Sequence, residues 1–212
     1  TNIHSVRLLE RVSYEHLLFK HNLKLTMQEI QDAQDAQIIN GCLILKKDSY
    51  DLKAFQKRKN FQSVIALYLR RVPPKMFYQA ENLRTVIMPE AEEICFNSGI
   101  DQQAGAFEGT KVENCFFPQL RTVGAFAFKD CLIESLDAEN FPLLQTVGKN
   151  SFMRCPIQTL NLPCLEHVGV QGFCGLPVTD VNLPSLQTID QLGFSRCQVK
   201  ELVLPSLVSV GQ

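Results

Sequence analysis

The stretch from residue 112 to residue 211 repeats one pattern, in the phrases VENCFFPQLRTVGAFAFKDC (112–131), IESLDAENFPLLQTVGKNSFMRC (133–155), IQTLNLPCLEHVGVQGFCGL (157–176), VTDVNLPSLQTIDQLGFSRC (178–197) and VKELVLPSLVSVG (199–211). The phenylalanines at the aligned position follow one another at steps of 21, 24, 21 and 21 residues. One proline recurs in every copy, as Pro118, Pro142, Pro163, Pro184 and Pro205. Self-similarity at such a period indicates a repeat architecture.

Each copy places apolar residues where a short strand followed by a return segment would bury them. The segment IQTLNLP (157–163) is an example. Alternate residues of a strand face opposite sides, so Leu160 points inward while Thr159 and Asn161 point outward. The proline that follows ends strand pairing, because it has no N–H to donate. One coil cannot bury its own apolar residues, so the sequence predicts a parallel-stranded solenoid of stacked coils.

The same columns extend towards the N-terminus. Residues 77–89 (FYQAENLRTVIMP) and residues 55–67 carry two further copies. The pattern resembles the leucine-rich repeat of the BspA-like family, and residues 77–89 match the standard spacing of that repeat without a gap. The resemblance implies a leucine-rich-repeat solenoid of the α/β class, with mostly short parallel strands and an irregular or 3-10 convex side. It covers residues 55–212 in about seven units, and we expect the C-terminal unit to be truncated.

The residues before the repeats carry helix signals. Val6, Leu9 and Val12 recur at roughly helical spacing, and Thr26 with Glu29 matches a capping box that opens a helix. We therefore predict a small helical N-terminal cap over residues 1–37, because the first coil of a solenoid needs cover.

The segment IINGCLIL (38–45) predicts a β-hairpin. Asn40-Gly41 lies between two aliphatic runs, and this dipeptide favours a type I′ turn, in which both central residues have positive φ. We expect residues 38–54 to form this hairpin and the entry to the solenoid.

Composition excludes some classes of protein. The formal net charge is −1, with ten basic against seven acidic side chains in residues 1–60 and eleven against fifteen in residues 61–212. Neither half shows the basic stripe of a nucleic-acid-binding protein. The chain contains no apolar run of the roughly 18 residues that a membrane span needs. Because it opens on Thr1 without a signal-peptide pattern, we expect a fragment, and the cell surface and the cytoplasm both stay open as locations.

The spacing of the cysteines indicates that they are buried packing residues and not metal ligands or reactive thiols. Cys131, Cys155 and Cys197 share one repeat column with Thr110 and Leu176, and free cysteine behaves as a small hydrophobe. A structural zinc site is not expected, since no C-x-x-C pair occurs. Cys164 and Cys174 lie off this column in a single coil and are the candidate pair for a disulfide.

Signals of catalysis are missing from the sequence. It contains no G-x-S-x-G, no H-E-x-x-H and no phosphate-binding glycine loop. Recurrent glycines at 124, 148, 169 and 211 are interpreted as turn residues with an unusual backbone angle. We predict neither a catalytic residue nor a metal or other cofactor, so the chain is not expected to be an enzyme.

The outward face of the strands is therefore the candidate binding surface. We expect it to form the concave face and to bind a partner protein through Ile65, Ile87, Asn114, Phe116, Asp137, Asn161, Asp180, Asn182 and Glu201. Its first half is apolar, and an exposed apolar patch marks a partner site. The alternative is that the N-terminal helices cover this half.

Two hypotheses of function follow. The first is a non-enzymatic protein-binding module, and the family resemblance implies a role as a surface or secreted adhesin. The second is the recognition or regulatory arm of a larger intracellular enzyme or assembly. Further repeats followed by a membrane anchor in the full reading frame would favour the adhesin, and a kinase or ligase motif would favour the arm.

Overall fold

Two short helices precede the strands. The computed structural model describes residues 14–95 and 104–211. Helix α1 spans Tyr14–Lys20 and helix α2 spans Met27–Asp32. The expected helical spacing of Val6, Leu9 and Val12 lies outside the described residues.

The capping box predicted for α2 is confirmed. The Thr26 hydroxyl accepts a hydrogen bond from the Glu29 backbone N–H at 3.2 Å, and the Glu29 carboxylate accepts one from the Thr26 N–H at 2.7 Å. Both bonds satisfy backbone donors that a helix start leaves without intrahelical partners. A helix of six residues depends on such a cap and on its packing, because isolated short helices are marginal in water.

The predicted hairpin is also confirmed. Strands β1 (Gln37–Ile39) and β2 (Cys42–Leu45) pair antiparallel across Asn40 and Gly41, whose φ values are 50° and 77°. These positive angles are those of a type I′ turn. Strand β2 then pairs in parallel with the next strand of the chain, so the hairpin supplies the first rung of the solenoid.

The chain then alternates between two parallel ladders. The first ladder continues from β2 through β3 (Ser63–Ala66), β5 (Thr85–Ile87), β7 (Asn114–Phe116), β9 (Ser135–Leu136), β11 (Thr159–Asn161) and β13 (Asp180–Asn182). The second ladder contains β4 (Arg71–Val72), β6 (Glu93–Ile94), β8 (Thr122–Val123), β10 (Thr146–Val147), β12 (His167–Val168), β14 (Thr188–Ile189) and β15 (Ser209–Val210). All neighbouring rungs that pair are parallel, as a stacked solenoid requires.

The first ladder differs from the expected one at two places. Strands β7 and β9 do not pair, so it divides into the sheets β1-β2-β3-β5-β7 and β9-β11-β13, while the second ladder runs unbroken. Residues 201–203, expected to form the last strand, are not in a strand. Within the described residues, the last coil pairs with the preceding coil through β14 and β15 of the second ladder.

Phenylalanine side chains form a continuous stack along the third side of the solenoid. Their ring centroids are 5.0 to 5.8 Å apart from one coil to the next, through Phe55, Phe77, Phe107, Phe128, Phe152, Phe173 and Phe194. This side consists of irregular turns, closed by bonds such as Cys155 N–H to the Phe152 carbonyl at 3.1 Å. Phe173 is fully buried, whereas Phe194, the last ring of the stack, is half-buried.

The interpretation of the recurrent glycines as turn residues is wrong. Among the described glycines, positive φ occurs at Gly41, Gly109 and Gly175. The recurrent glycines instead lie against the coil before them. A Cβ atom at Gly124 would lie 2.4 Å from the Cys95 carbonyl oxygen, and one at Gly211 would lie 2.7 Å from the Gln191 nitrogen. They are small because the coils stack closely at this column.

Candidate functional site

The apolar half of the strand face is covered, and its expected exposure is wrong. Ile65 and Ile87 have no exposed surface, and Phe116 is 6% exposed. They form one apolar cluster with Leu17 of α1 and Ile30 of α2. The alternative held for this half, burial beneath the N-terminal helices, is therefore the arrangement that the structure has, and these three residues face the cap instead of a partner.

The half of the first ladder that follows β7 is uncovered and polar. Residues of equal position stand side by side, so Asn161 pairs in register with Asn182, and Thr159 with Asp180. The Asn182 side-chain amide donates to the Asn161 carbonyl oxygen at 2.8 Å. Asp180 and Asn182 are exposed, and Asn161 is half-buried. The rungs thus present polar groups about 4.8 Å apart along the ladder.

The remaining candidate residues are placed differently. Asp137 holds a turn together, because its carboxylate accepts bonds from the backbone N–H groups of Glu139 and Asn140, each at 3.0 Å. Glu201 is exposed but lies outside the strands, next to the polar end of the ladder. Asn114 is half-buried and lines a pocket. Only some members of the expected set are therefore available as one continuous strand surface.

That pocket, of about 420 Å³, lies between β7 and β9. Its walls include Lys20 and His21 from the end of α1, Glu134 beside β9, and Asn140 from the turn after β9. The sequence interpretation missed these four residues. A signal was present, because the step of 24 residues between Phe128 and Phe152 places three additional residues in this coil.

The column cysteines pack as predicted and also form hydrogen bonds. The Sγ atoms of Cys131, Cys155 and Cys197 lie 3.1 to 3.2 Å from the phenylalanine carbonyl oxygen of the preceding coil. Burial raises the pKa of the Cys131 thiol to about 12, so this thiol is not a nucleophile at neutral pH. All eight cysteines, Cys164 and Cys174 included, are free thiols. Within the described residues, no group of three or more His, Cys, Asp and Glu side chains could hold a metal ion.

Comparison with known proteins agrees with this geometry. The sequence profile described as BspA type leucine rich repeat region (6 copies) matches residues 101–212. The chain belongs to the BspA-type leucine-rich repeat family. No curated protein and no solved structure matches the chain.

The leucine-rich-repeat solenoid of this BspA-type chain is typically a non-enzymatic fold for protein interaction. In the described residues of the chain, neither helix is long and apolar enough to cross a bilayer. The coils from β2 to β6 precede the matched range and continue the same two ladders, so the solenoid extends beyond it.

Proposed function

We propose that the chain is a non-enzymatic protein-interaction module that binds a partner protein on the uncovered half of the first ladder. We take residues 1–37 as the cap, 38–54 as the entry hairpin and 55–212 as the repeat region. The observation that carries the proposal is the division of the strand face: the cap buries its first half, and β9, β11 and β13 leave their outward side chains open.

The chemistry of the uncovered half favours a partner with basic and hydrogen-bonding groups. Asp180 contributes a carboxylate, and Asn161 and Asn182 contribute amides, along the paired strands β11 and β13. The exposed carboxylate of Glu201 lies beyond these strands. A surface of one sign of charge attracts a complementary partner and selects against like charge. Small-molecule sites are enclosed and mostly apolar. Because this face is open and polar, it suits a protein partner better than a small molecule.

A narrower role is adhesion at the cell surface, which the family resemblance supports. We propose it as the biological setting of the same binding face. Labelling of intact cells with a membrane-impermeant reagent, followed by recovery of the full-length protein, tests this setting. Labelled protein supports it, and protein labelled only after lysis contradicts it.

The binding face is tested by one matched pair of charge reversals. Asp180→Lys changes an exposed carboxylate on β13, and Glu166→Lys makes the same charge change at an exposed site beside the second ladder. We expect co-purification of the partner from source cells to fall about tenfold or more with Asp180→Lys, the loss typical of an important interface residue, and to stay unchanged with Glu166→Lys. A partner retained by both variants, or lost from both, contradicts the proposal.

A further inference from the structure

The junction between the coil of β7 and the coil of β9 lacks strand pairing in the first ladder. Two backbone hydrogen bonds remain at its ends: Leu132 N–H donates to the Val112 carbonyl at 2.8 Å, and Phe117 N–H donates to the Asn140 carbonyl at 2.9 Å. A pocket of about 420 Å³ lies between these bonds. In a repeat protein each junction adds its own stabilising interface, so this junction should be weaker than those whose strands pair.

The other two sides of the same coils are held together. Strands β8 and β10 of the second ladder pair across the junction, and Gly148 N–H donates to the Val123 carbonyl at 2.7 Å. On the third side, the rings of Phe128 and Phe152 stack with their centroids 5.3 Å apart. Two sides of the junction are therefore joined while the first-ladder side can open, which is the arrangement of a hinge.

Two polar atoms at the junction have no hydrogen bond in the closed arrangement. His21 Nε2 and Asn140 Oδ1 are shielded from solvent, and neither has a partner among the described residues. The Asn140 amide nitrogen lies 2.9 and 3.1 Å from the two Asp137 carboxylate oxygens, so the amide oxygen is the atom left without a donor. A buried polar atom without a partner costs free energy. Opening of the junction would admit water to both atoms and would recover part of that cost.

An ion pair joins the cap to the far side of the junction. Lys20, the last residue of α1, binds the Glu139 carboxylate at 2.6 Å. Helix α1 packs on the covered half of the strand face through Leu17, whereas Glu139 lies in the turn after β9, so the pair bridges the gap. Both side chains are partly exposed, 32% for Lys20 and 67% for Glu139. An ion pair of this exposure is weak and is screened by salt, so it can release the junction as well as hold it.

We propose that the junction between β7 and β9 is a hinge of the solenoid, with the second ladder as its axis and the pair of Lys20 and Glu139 as its clasp. In the closed state, the uncovered half of the first ladder continues the strand face that the cap covers. In the open state, β9, β11 and β13 turn away from the cap together, because they remain paired with one another. The angle between the cap and the uncovered strand face therefore changes without unfolding of either half.

Hydrogen exchange at matched backbone amides, followed by nuclear magnetic resonance, tests the hinge. Phe117 N–H bonds across the gap at 2.9 Å, and Met88 N–H donates to the Phe116 carbonyl at 3.0 Å across the paired junction of β5 and β7. Phe117 and Met88 are both fully buried and both precede a proline, so strand pairing is the main difference between them. We expect the Phe117 amide to exchange at least about tenfold faster than the Met88 amide, after correction for intrinsic rates, and the Gly148 amide of the second ladder to stay as protected as that of Met88. Equal protection at Phe117 and Met88, or fast exchange at Gly148 as well, overturns the hinge.

Two matched variants test the clasp. Glu139→Gln removes the charge that binds Lys20, and should raise the exchange rate of the Phe117 amide about two- to fivefold, the scale of an exposed ion pair, without changing that of Met88. Glu81→Gln removes the same charge from the exposed pair of Lys59 and Glu81, whose atoms are also 2.6 Å apart and which does not line the gap. This control should leave the Phe117 amide unchanged.

Salt gives a second measurement of the clasp in the unaltered chain. At about 1 M salt the attraction between exposed charges is largely screened, so the Phe117 amide should exchange faster by the same factor as in Glu139→Gln, and salt should add little in that variant. Acceleration of the Phe117 and Met88 amides to the same extent would mean a general loss of stability. That result, or no acceleration by either treatment, contradicts a hinge clasped by Lys20 and Glu139.

Discussion

Single residues in this solenoid often have a role that their recurrence does not reveal. Recurrent glycines at 124 and 148 are needed for space, because the backbone of the preceding coil occupies the position of a side chain. By contrast, the residue two positions after each stacked phenylalanine has a positive φ, and that column tolerates other types, with Arg154 and Asp130 beside Gly175. A recurrent residue in the sequence shows that its position accepts few residue types. The physical reason is the distance to the neighbouring coil, and the repeat period does not give that distance.

Two alanine substitutions separate these constraints. At Gly124 a Cβ atom would lie 2.4 Å from a backbone oxygen, so Gly124→Ala should lower the free energy of unfolding by about 3 kcal/mol, the upper end of the overpacking range. At Gly175, with φ of 75° and nothing within 4 Å of a Cβ atom, Gly175→Ala should cost about 1 kcal/mol, the strain of a left-handed alanine. Urea denaturation measures both. A loss at Gly175 equal to or larger than that at Gly124 would contradict the spatial role of Gly124.

Among the elements, the helices and hairpin of the N-terminal region could be predicted, but not where the helices pack. The Thr26 capping box and the Asn40-Gly41 turn are local signals, and both are confirmed. The packing of α1 and α2 over Ile87 joins segments about sixty residues apart. The sequence was compatible both with this burial and with an exposed Ile87. Local chemistry determines a cap or a turn, whereas docking depends on the shape of a surface that exists only after the coils stack.

The cap makes the apolar half of the strand face belong to the core, so substitutions there should affect stability. Ile87→Asp places a carboxylate at a position with no exposed surface, and the buried charge should cost more than about 3 kcal/mol. Thr159→Ala, on the uncovered half, should stay within about 0.5 kcal/mol of the original chain. Thermal unfolding followed by circular dichroism compares the two. Wild-type stability of Ile87→Asp would mean that the cap does not cover this face.

The one sequence feature that indicates the gap in the first ladder is the greater length of the repeat between Phe128 and Phe152. Three additional residues before Phe141 form the turn that Asp137 closes, and Lys20 at the end of α1 binds Glu139 in that turn. The repeat pattern could place Leu136 in the core and Ser135 outside, and both are so placed. It could not show that the insertion would separate β7 from β9, because that outcome depends on how the neighbouring coil and the cap meet the turn.

At the scale of the whole molecule, stability passes from coil to coil. The phenylalanine stack continues past the gap, with the rings of Phe128 and Phe152 5.3 Å apart, and the second ladder pairs through every coil from β4 to β15. The two halves of the first ladder therefore belong to one solenoid. In a repeat protein each coil is stabilised mainly by its neighbours, so a coil with one neighbour should open more readily than one with two.

Equivalent amides in two coils test this dependence on neighbours. Gly169 N–H donates to the Val147 carbonyl at 2.7 Å, and Gly211 N–H donates to the Ile189 carbonyl at the same 2.7 Å. The coil of Gly169 is covered on both sides, whereas that of Gly211 leaves Val208 and Val210 largely exposed. The two hydrogen bonds have the same length, but the coils around them differ in burial. We therefore expect the Gly211 amide to exchange with deuterium at least about a hundredfold faster than the Gly169 amide, after correction for intrinsic rates. Equal protection at the two glycines would mean that the 212-residue chain opens as one cooperative unit, and that the end coil gains stability from contacts other than stacking.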